Sequence, residues 1–305
     1  MGEVYVAMMN LLWPRSGLPR QRFYDYWSGA HTQISSRLPG IHQYFQHHLD
    51  PDLGEGMPGI DMWTKSDTEG FFGDAEITFA TQEHLADFAA KLNPLMQDEQ
   101  NVFDKTVSYQ APGEFTRSLK DETSDQSPNG NLGDQLKFMI YIHTAVGLSR
   151  DAFRETFVKR VAQPFCESEH VSKVRYRLVD FYDNDAVTLL APNVSNFEAP
   201  GDQFDCCLEV VFPDAMSRHK FVGTLLQKQS SAGLTDLSRG VTCQRAIRTF
   251  TVYNHGAITL AGLRTPQMAA QIEALGAFNQ VNEESYRLLL GQHTASSRYR
   301  PEPFR

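Results

Sequence analysis

The most suggestive chemistry in this chain is a histidine at the margin of an aromatic helix. It is His31, within "FYDYWSGAHTQISSRLPGIHQYF", residues 23 to 45. At about 100° per residue, Phe23, Trp27, Ile34 and Leu38 form one apolar stripe, and His31 falls at its edge with Tyr24 and Ser35 beside it. An imidazole so placed can be walled by rings and still reach a polar space. Its ordinary pKa, near neutrality, suits taking a proton from carbon or giving one to a leaving hydroxyl. The same position also suits a core histidine tied to a hydrogen-bond partner. A second feature is the spacing of Asp74 and Glu76 in "GDAEITFA". Alternate residues of a strand share a face, so an inward-facing pair would be two buried carboxylates of raised pKa; the equal alternative is that Glu76 pairs with a nearby Arg.

Other motifs carry less. "GEGMPG" satisfies G-x-G-x-x-G at Gly54, Gly56 and Gly59, but it holds Pro58 and opens no helix, so it reads as a loop. "QHHLDPD" gathers His47, His48, Asp50 and Asp52, yet adjacent strand residues face opposite ways, which disfavours one shared ion and reads as a solvated strand end. The cysteines, Cys166, Cys206, Cys207 and Cys243, form no C-x-x-C pair and read as reduced core thiols. No HExxH, GxSxG or Walker sequence is present. A net charge of −9 argues against nucleic acid and anionic membrane surfaces as partners. The absence of a long apolar run adds the expectation of a cytoplasmic protein.

The elements that must position these residues run in the same order twice. Strands are expected at 4–13, 41–49, 74–80 and 105–111, with helices from near Pro19 to before Pro39-Gly40 and over 81–92. Further on they are expected at 137–145, 174–183, 204–212 and 244–254, with helices over 149–162 and 214–226. Phe23 with Phe153, Trp27 with Phe157, and Glu76 with Glu209 fall in matching registers, which implies an internal duplication. The fold class is therefore α+β: two tandem ferredoxin-like βαββαβ units, their antiparallel sheets packed face to face as an α+β barrel with a pocket between the sheets. The expected divisions are 1–117, a polar linker 118–135, 136–255, and a helical extension with a polar tail over 256–305.

With that order in place, Phe23, Tyr26-Trp27, His31, Leu38-Pro39-Gly40 and Tyr44 resemble the signature of the EthD-like branch of the dimeric α+β barrel superfamily. Asp74, Glu76 and Phe79 resemble its acidic strand. The resemblance implies a small aromatic or polyketide-like substrate, a possible homodimer, and chemistry without metal, flavin or nucleotide. On that footing the expected activity is that of a cofactor-independent lyase: dehydration, decarboxylation or carbon–carbon cleavage. His31 would be general base and acid, and Glu76 would orient it. Tyr44 and Tyr24 would bond a phenolate or enolate oxygen, while Asp74, Trp27, Trp63, Phe71, Phe72 and the matching Glu209 would face the substrate. A cofactor-free monooxygenase or cyclase, a non-catalytic binding module, and a haem enzyme using His143, His170 or His219 are the alternatives. The second copy carries Val161 opposite His31 and Pro164 opposite Ile34, so it is expected to complete the barrel rather than hold a site.

Overall fold

The computed structural model describes residues 4–53, 70–123, 128–130, 132–186, 189–227 and 232–291. The glycine motif at 54–59, Trp63, and the tail arginines Arg298, Arg300 and Arg305 lie outside the described residues.

The first half supplies β1 (Val6–Pro14), α1 (Arg20–Tyr26), a π-helical turn (Trp27–His31) and α2 (Thr32–Ser35). After these come β2 (Ile41–Asp50), β3 (Gly73–Phe79), α3 (Gln82–Ala90), α4 (Asn93–Glu99) and β4 (Phe103–Pro112). Short strands β5 (Thr116–Asp121) and β6 (Asn129–Gly130) lead to the second half. That half has β7 (Leu136–Thr144), α5 (Arg150–Phe157), a second π turn (Val158–Ala162) and α6 (Gln163–Cys166). It continues with β8 (Lys173–Leu178), β9 (Cys206–Phe212), α7 (Ala215–Gln227), α8 (Ala232–Leu237) and β10 (Ser238–Asn254). A short β11 (Ala257–Ile258) and helices α9 (Leu260–Arg264), α10 (Pro266–Ala274) and α11 (Glu283–Leu289) form the extension.

Each half has the ferredoxin-like strand order, β4-β1-β3-β2 and β10-β7-β9-β8, and all pairings between these strands are antiparallel. The halves join edge to edge at two seams. The 17-residue β10 pairs with β7 through its first part and with β2 through its second. At the other seam β4 pairs with β1, and after a 3₁₀ turn its continuation β5 pairs with β8. The sheet thus closes on itself, leaving no long open edge. The segment read as a linker is therefore partly structural: β5 makes the second seam and β6 pairs with β10.

Both faces of this sheet are covered, one by the barrel interior and one by helices, so β3 and β9 are buried along their whole lengths. Three cores result. One lies under the helices of each half, and a third, with Met9, Leu11, Val107, Tyr109, Met139 and Tyr141, lies in the barrel interior. Side chains thus fill the middle of the interior, where a pocket was expected between the sheets; the cavity that holds His31 lies instead between the first sheet and its helices. β8 also stops at Leu178, short of the expected 183, and the chain beyond it runs as a long strap to β9. Within the extension, α9 locks the end of the first helix: Arg37 and Ser36 donate to the Gly262 carbonyl, and Arg37 also to that of Leu263.

Candidate active site

The first helix begins without a side-chain cap after Pro19 and widens into a π turn at Trp27–His31. The wide turn is held by Thr32, whose backbone N–H and hydroxyl both bond the Trp27 carbonyl. Single π turns recur at functional sites because they rephase the side chains that follow. Here Trp27, His31 and Ser35 come to line one cavity, while Tyr24, beside His31 on the ideal projection, turns away. Its hydroxyl donates to the Leu49 carbonyl and its ring stacks on His48 at 4.7 Å. Trp27 also stacks on His48 at 4.7 Å and lies flat against β3, where a Cβ on Gly73 would stand 2.6 Å from the indole.

The cavity, of about 600 Å³, lies between the sheet of the first half and its helices. Its floor is Met8, Leu12, Ala75 and Ile77, the outward residues of β1 and β3, and Phe88, Leu92, Leu95, Met96 and Phe103 make apolar walls. Asn10, Ser108 and Gln110 give one polar side, with Asn10 bonded to both the Ala75 carbonyl and Ser108. The strap of the second half closes another side through Asp180, Phe181, Tyr182, Asp183, Leu189 and Asn196. Among the described lining residues there is no lysine or arginine.

His31 is buried, and its Nδ1 lies 2.9 Å from Asp98 Oδ2, with the Phe103 ring edge-on at 5.3 Å. The Asp98 carboxylate also accepts from Tyr26 at 2.7 Å and from Asn101 at 3.0 Å, which fixes its plane. Burial pushes this carboxyl up, but bonds from His31, Tyr26 and Asn101 outweigh that and hold it below its ordinary value. An ionised carboxylate only accepts, so the Nδ1–Asp98 bond places a ring proton on Nδ1, and in the neutral ring the lone pair is then on Nε2. Beside Asp98 on α4, Glu99 also lines the cavity. Burial, with the charge of Asp98 adding to it, pushes its carboxyl up to about 7 against a single bond from Thr106 at 3.2 Å. Tyr44 reaches the cavity from β2. Its hydroxyl accepts from Gln46 at 2.9 Å and meets Ser35 at 3.4 Å, and burial keeps it protonated well above neutrality.

Six expected site residues lie elsewhere, among them Phe71, which packs in the barrel-interior core. Asp74, Glu76 and Glu209 face the barrel interior, on the opposite side of the sheet from Ala75 and Ile77. Arg177 binds Asp74 at 2.6 Å and reaches Glu76 at 3.4 Å. Arg175 binds Glu76, and Lys137 and Lys173 hold Glu209 at 2.7 and 3.3 Å. The expected raised pKa is inverted: burial alone would push Glu76 up, but Arg175 and Arg177 hold it far below its ordinary range. His31 is oriented by Asp98, not by Glu76. Tyr24, as above, packs away from the cavity, and Phe72 packs on Phe23 and under the Arg20 guanidinium, outside the lining. Nor is "QHHLDPD" solvated at its histidines: His47 and His48 are both buried, on opposite faces. His47, Glu76 and Glu209 lie close enough to hold an ion, but four basic side chains already balance that cluster. In the second half Val161 belongs to the hydrophobic core, as do Phe153 and Phe157.

Asp98 and Glu99 escaped the sequence reading because α4 was not expected. Its signal was present: Asn93-Pro94 is a helix start, and Leu95, Asp98 and Glu99 share the i, i+3, i+4 face.

No curated protein matches the chain in sequence. Among solved structures, a provisionally named monooxygenase from Fusobacterium nucleatum is 10% identical, covering 85% of this chain and 99% of that one with a TM-score of 0.50. A provisionally named monooxygenase from Lactobacillus acidophilus is 11% identical, covering 85% and 99% with a TM-score of 0.43. An anthrone oxidase-like protein is 11% identical, covering 81% and 92% with a TM-score of 0.45. At such identities the first of these is a likeness of fold, that of the α+β barrel. Among the described residues no helix is long and apolar enough to cross a membrane. Residues 15–106, which carry His31 and Asp98, match the family model of the EthD domain.

Proposed function

We propose that the chain is an enzyme in which His31, oriented by Asp98, removes a proton from an activated carbon of an uncharged, ring-bearing molecule. The carbanion is then oxygenated. The observation that carries this reading is the 2.9 Å His31–Asp98 bond at the wall of a largely apolar cavity of about 600 Å³. A neutral imidazole with its proton fixed on Nδ1 is a base at neutral pH. A lining with carboxylates and no described lysine or arginine disfavours acidic substrates and favours neutral phenols or ring ketones. Tyr44 supplies a proton to bond the developing oxyanion, and apolar walls strengthen that bond by excluding water.

Oxygenation takes precedence over the lyase reading because the structurally similar Fusobacterium protein bears a monooxygenase name. The step balances with dioxygen as oxidant: a CH2 group loses a proton to His31, its carbanion forms the C–O bond, and the peroxide then loses water to give a carbonyl. The lyase reading shares the first step and differs only in the departing group. The test is deuterium exchange into the acidic carbon of anthrone and 2-tetralone, followed by NMR, beside oxygen uptake. The wild-type protein should accelerate exchange over buffer, and His31→Ala should lose about 10²-fold of that. No acceleration, or an unaffected His31→Ala variant, refutes the base assignment. Exchange without oxygen uptake would favour the lyase.

A further inference from the structure

The second half of the chain reaches into the cavity by its strap, and what it touches there is Thr106, which bonds Glu99. Residues of this strap run beside the start of β4: the Ser195 N–H bonds the Asp104 carbonyl at 2.8 Å, and the Thr106 N–H bonds the Ser195 carbonyl at 2.9 Å. Asn196 then clamps Thr106 with one amide nitrogen, which donates to the Thr106 carbonyl at 3.0 Å and to its hydroxyl oxygen at 2.8 Å. The bond to a carbonyl requires a nitrogen at that place, so the amide orientation is fixed. The Thr106 hydroxyl, already accepting from Asn196, turns its only proton to Glu99 at 3.2 Å. Glu99 stands in the cavity wall with its other oxygen free of any described protein partner and no lysine or arginine among the described lining.

We propose that Glu99 is the acid of this site, a catalytic residue that protonates the hydroxide expelled from the substrate, and that Asn196 of the second half is the positioning residue that aims it through Thr106. This rests on the base assignment of His31 and adds to it. Whether hydroxide leaves a peroxide or a carbon, the balance is the same. His31 takes the proton from carbon, the O–O or C–O bond breaks with its electron pair on the departing oxygen, and Glu99 converts that oxygen to water. The proton on His31 then returns to Glu99. The groups that set the charge around Glu99 are Asp98 on the same helix, His31 on the π turn, Tyr44 on β2, and Asp180 and Asp183 on the strap. Asp180 is neutralised by Arg154 at 2.7 Å. The surroundings therefore favour the protonated carboxyl, which burial supports.

The experiment has two arms. In the first, carboxyl carbons are labelled and Glu99 is titrated by NMR in the wild type and in Asn196→Ala. The wild-type group should hold its proton to near neutrality, and the variant should move the titration, which a merely structural Asn196 would not do. In the second, oxygen uptake and deuterium exchange are compared in Glu99→Gln with anthrone as probe. Uptake should fall by about 10²-fold, exceeding any loss of exchange by at least tenfold. A Glu99 that titrates like a surface glutamate, or a Glu99→Gln variant that turns over like the wild type, overturns the proposal. Failure of exchange in the wild type itself would instead sink the base assignment of His31.

Discussion

Glu99→Gln should stabilise the protein at alkaline pH and leave it nearly unchanged at acid pH. The Glu99 carboxyl titrates near 4.5 when solvated and at about 7 in the fold, because burial and Asp98 outweigh the bond from Thr106. The folded state therefore binds more protons than the unfolded chain between these values, and the stability contributed by this group falls as pH rises through that window. Below about 4.5 the carboxyl is neutral in both states and costs nothing; above about 7 the fold carries the full penalty of a buried charge. At about 1.36 kcal/mol per pKa unit the penalty is about 3 kcal/mol. Glutamine keeps the acceptor for Thr106 and never ionises, so the penalty is absent from the variant. Guanidinium unfolding of both proteins at a series of pH values from acid to alkaline isolates the effect, since His31 and every other titrating group are common to both. The stability difference should shift by about 3 kcal/mol in favour of Gln between the acid and alkaline ends. A difference that stays constant with pH, or one that shifts towards Glu, would mean that water reaches this carboxyl freely, and the acid role would go with it.

Three further outcomes follow from the geometry. Asp98→Asn removes the acceptor that fixes the His31 tautomer and should cost roughly 10- to 10²-fold in deuterium exchange with the fold retained by circular dichroism. Arg177→Met leaves Asp74 and Glu76 buried without their nearest shared cation and should destabilise by about 3–5 kcal/mol in chemical denaturation, with part of the loss restored by adding Asp74→Asn. Gly73→Ala would force a Cβ into the Trp27 ring and should cost about 1–3 kcal/mol in the same assay, because Trp27 has no room to retreat without collapsing the cavity wall.

How much of this was legible depends on which physical signal carried each part. Strand order was readable because alternation and turn residues are local: the eight principal strands were anticipated, and Leu38-Pro39-Gly40 ends the first helix where Gly40, at φ +80°, packs so closely on the His84 carbonyl that no Cβ would fit. The seams were not readable. A segment rich in Ser, Asp and Asn reads as a linker, yet residues 116–121 become a strand because β8 would otherwise leave an unpaired edge. The strap was hidden for the converse reason: "FYD" after Leu178 continues a strand pattern, but its residues are spent on the cavity and on the bond from the Asp180 N–H to the Gln110 carbonyl.

The placement of Asp74 and Glu76 shows where pattern reasoning inverts. Their shared face is inward, but in a closed barrel inward means the interior between two sheets, where β8 of the other half delivers Arg175 and Arg177 at salt-bridge distance. Partners that come from about a hundred residues away leave no trace in local spacing, so an arginine for Glu76 could be offered only as an alternative and which arginine could not be read. His31 is the opposite case. Its partner Asp98 comes from a short helix in the same half, and a proline-led start would have exposed it. The difference bears on function: charges in the interior are matched in both signs and hold the two halves together, whereas the cavity under the first helix holds carboxylates, one imidazole and no described cation. Excess acid beside an oriented base, closed over by a strap from the half that carries Val161 instead of a histidine, is an arrangement for moving protons.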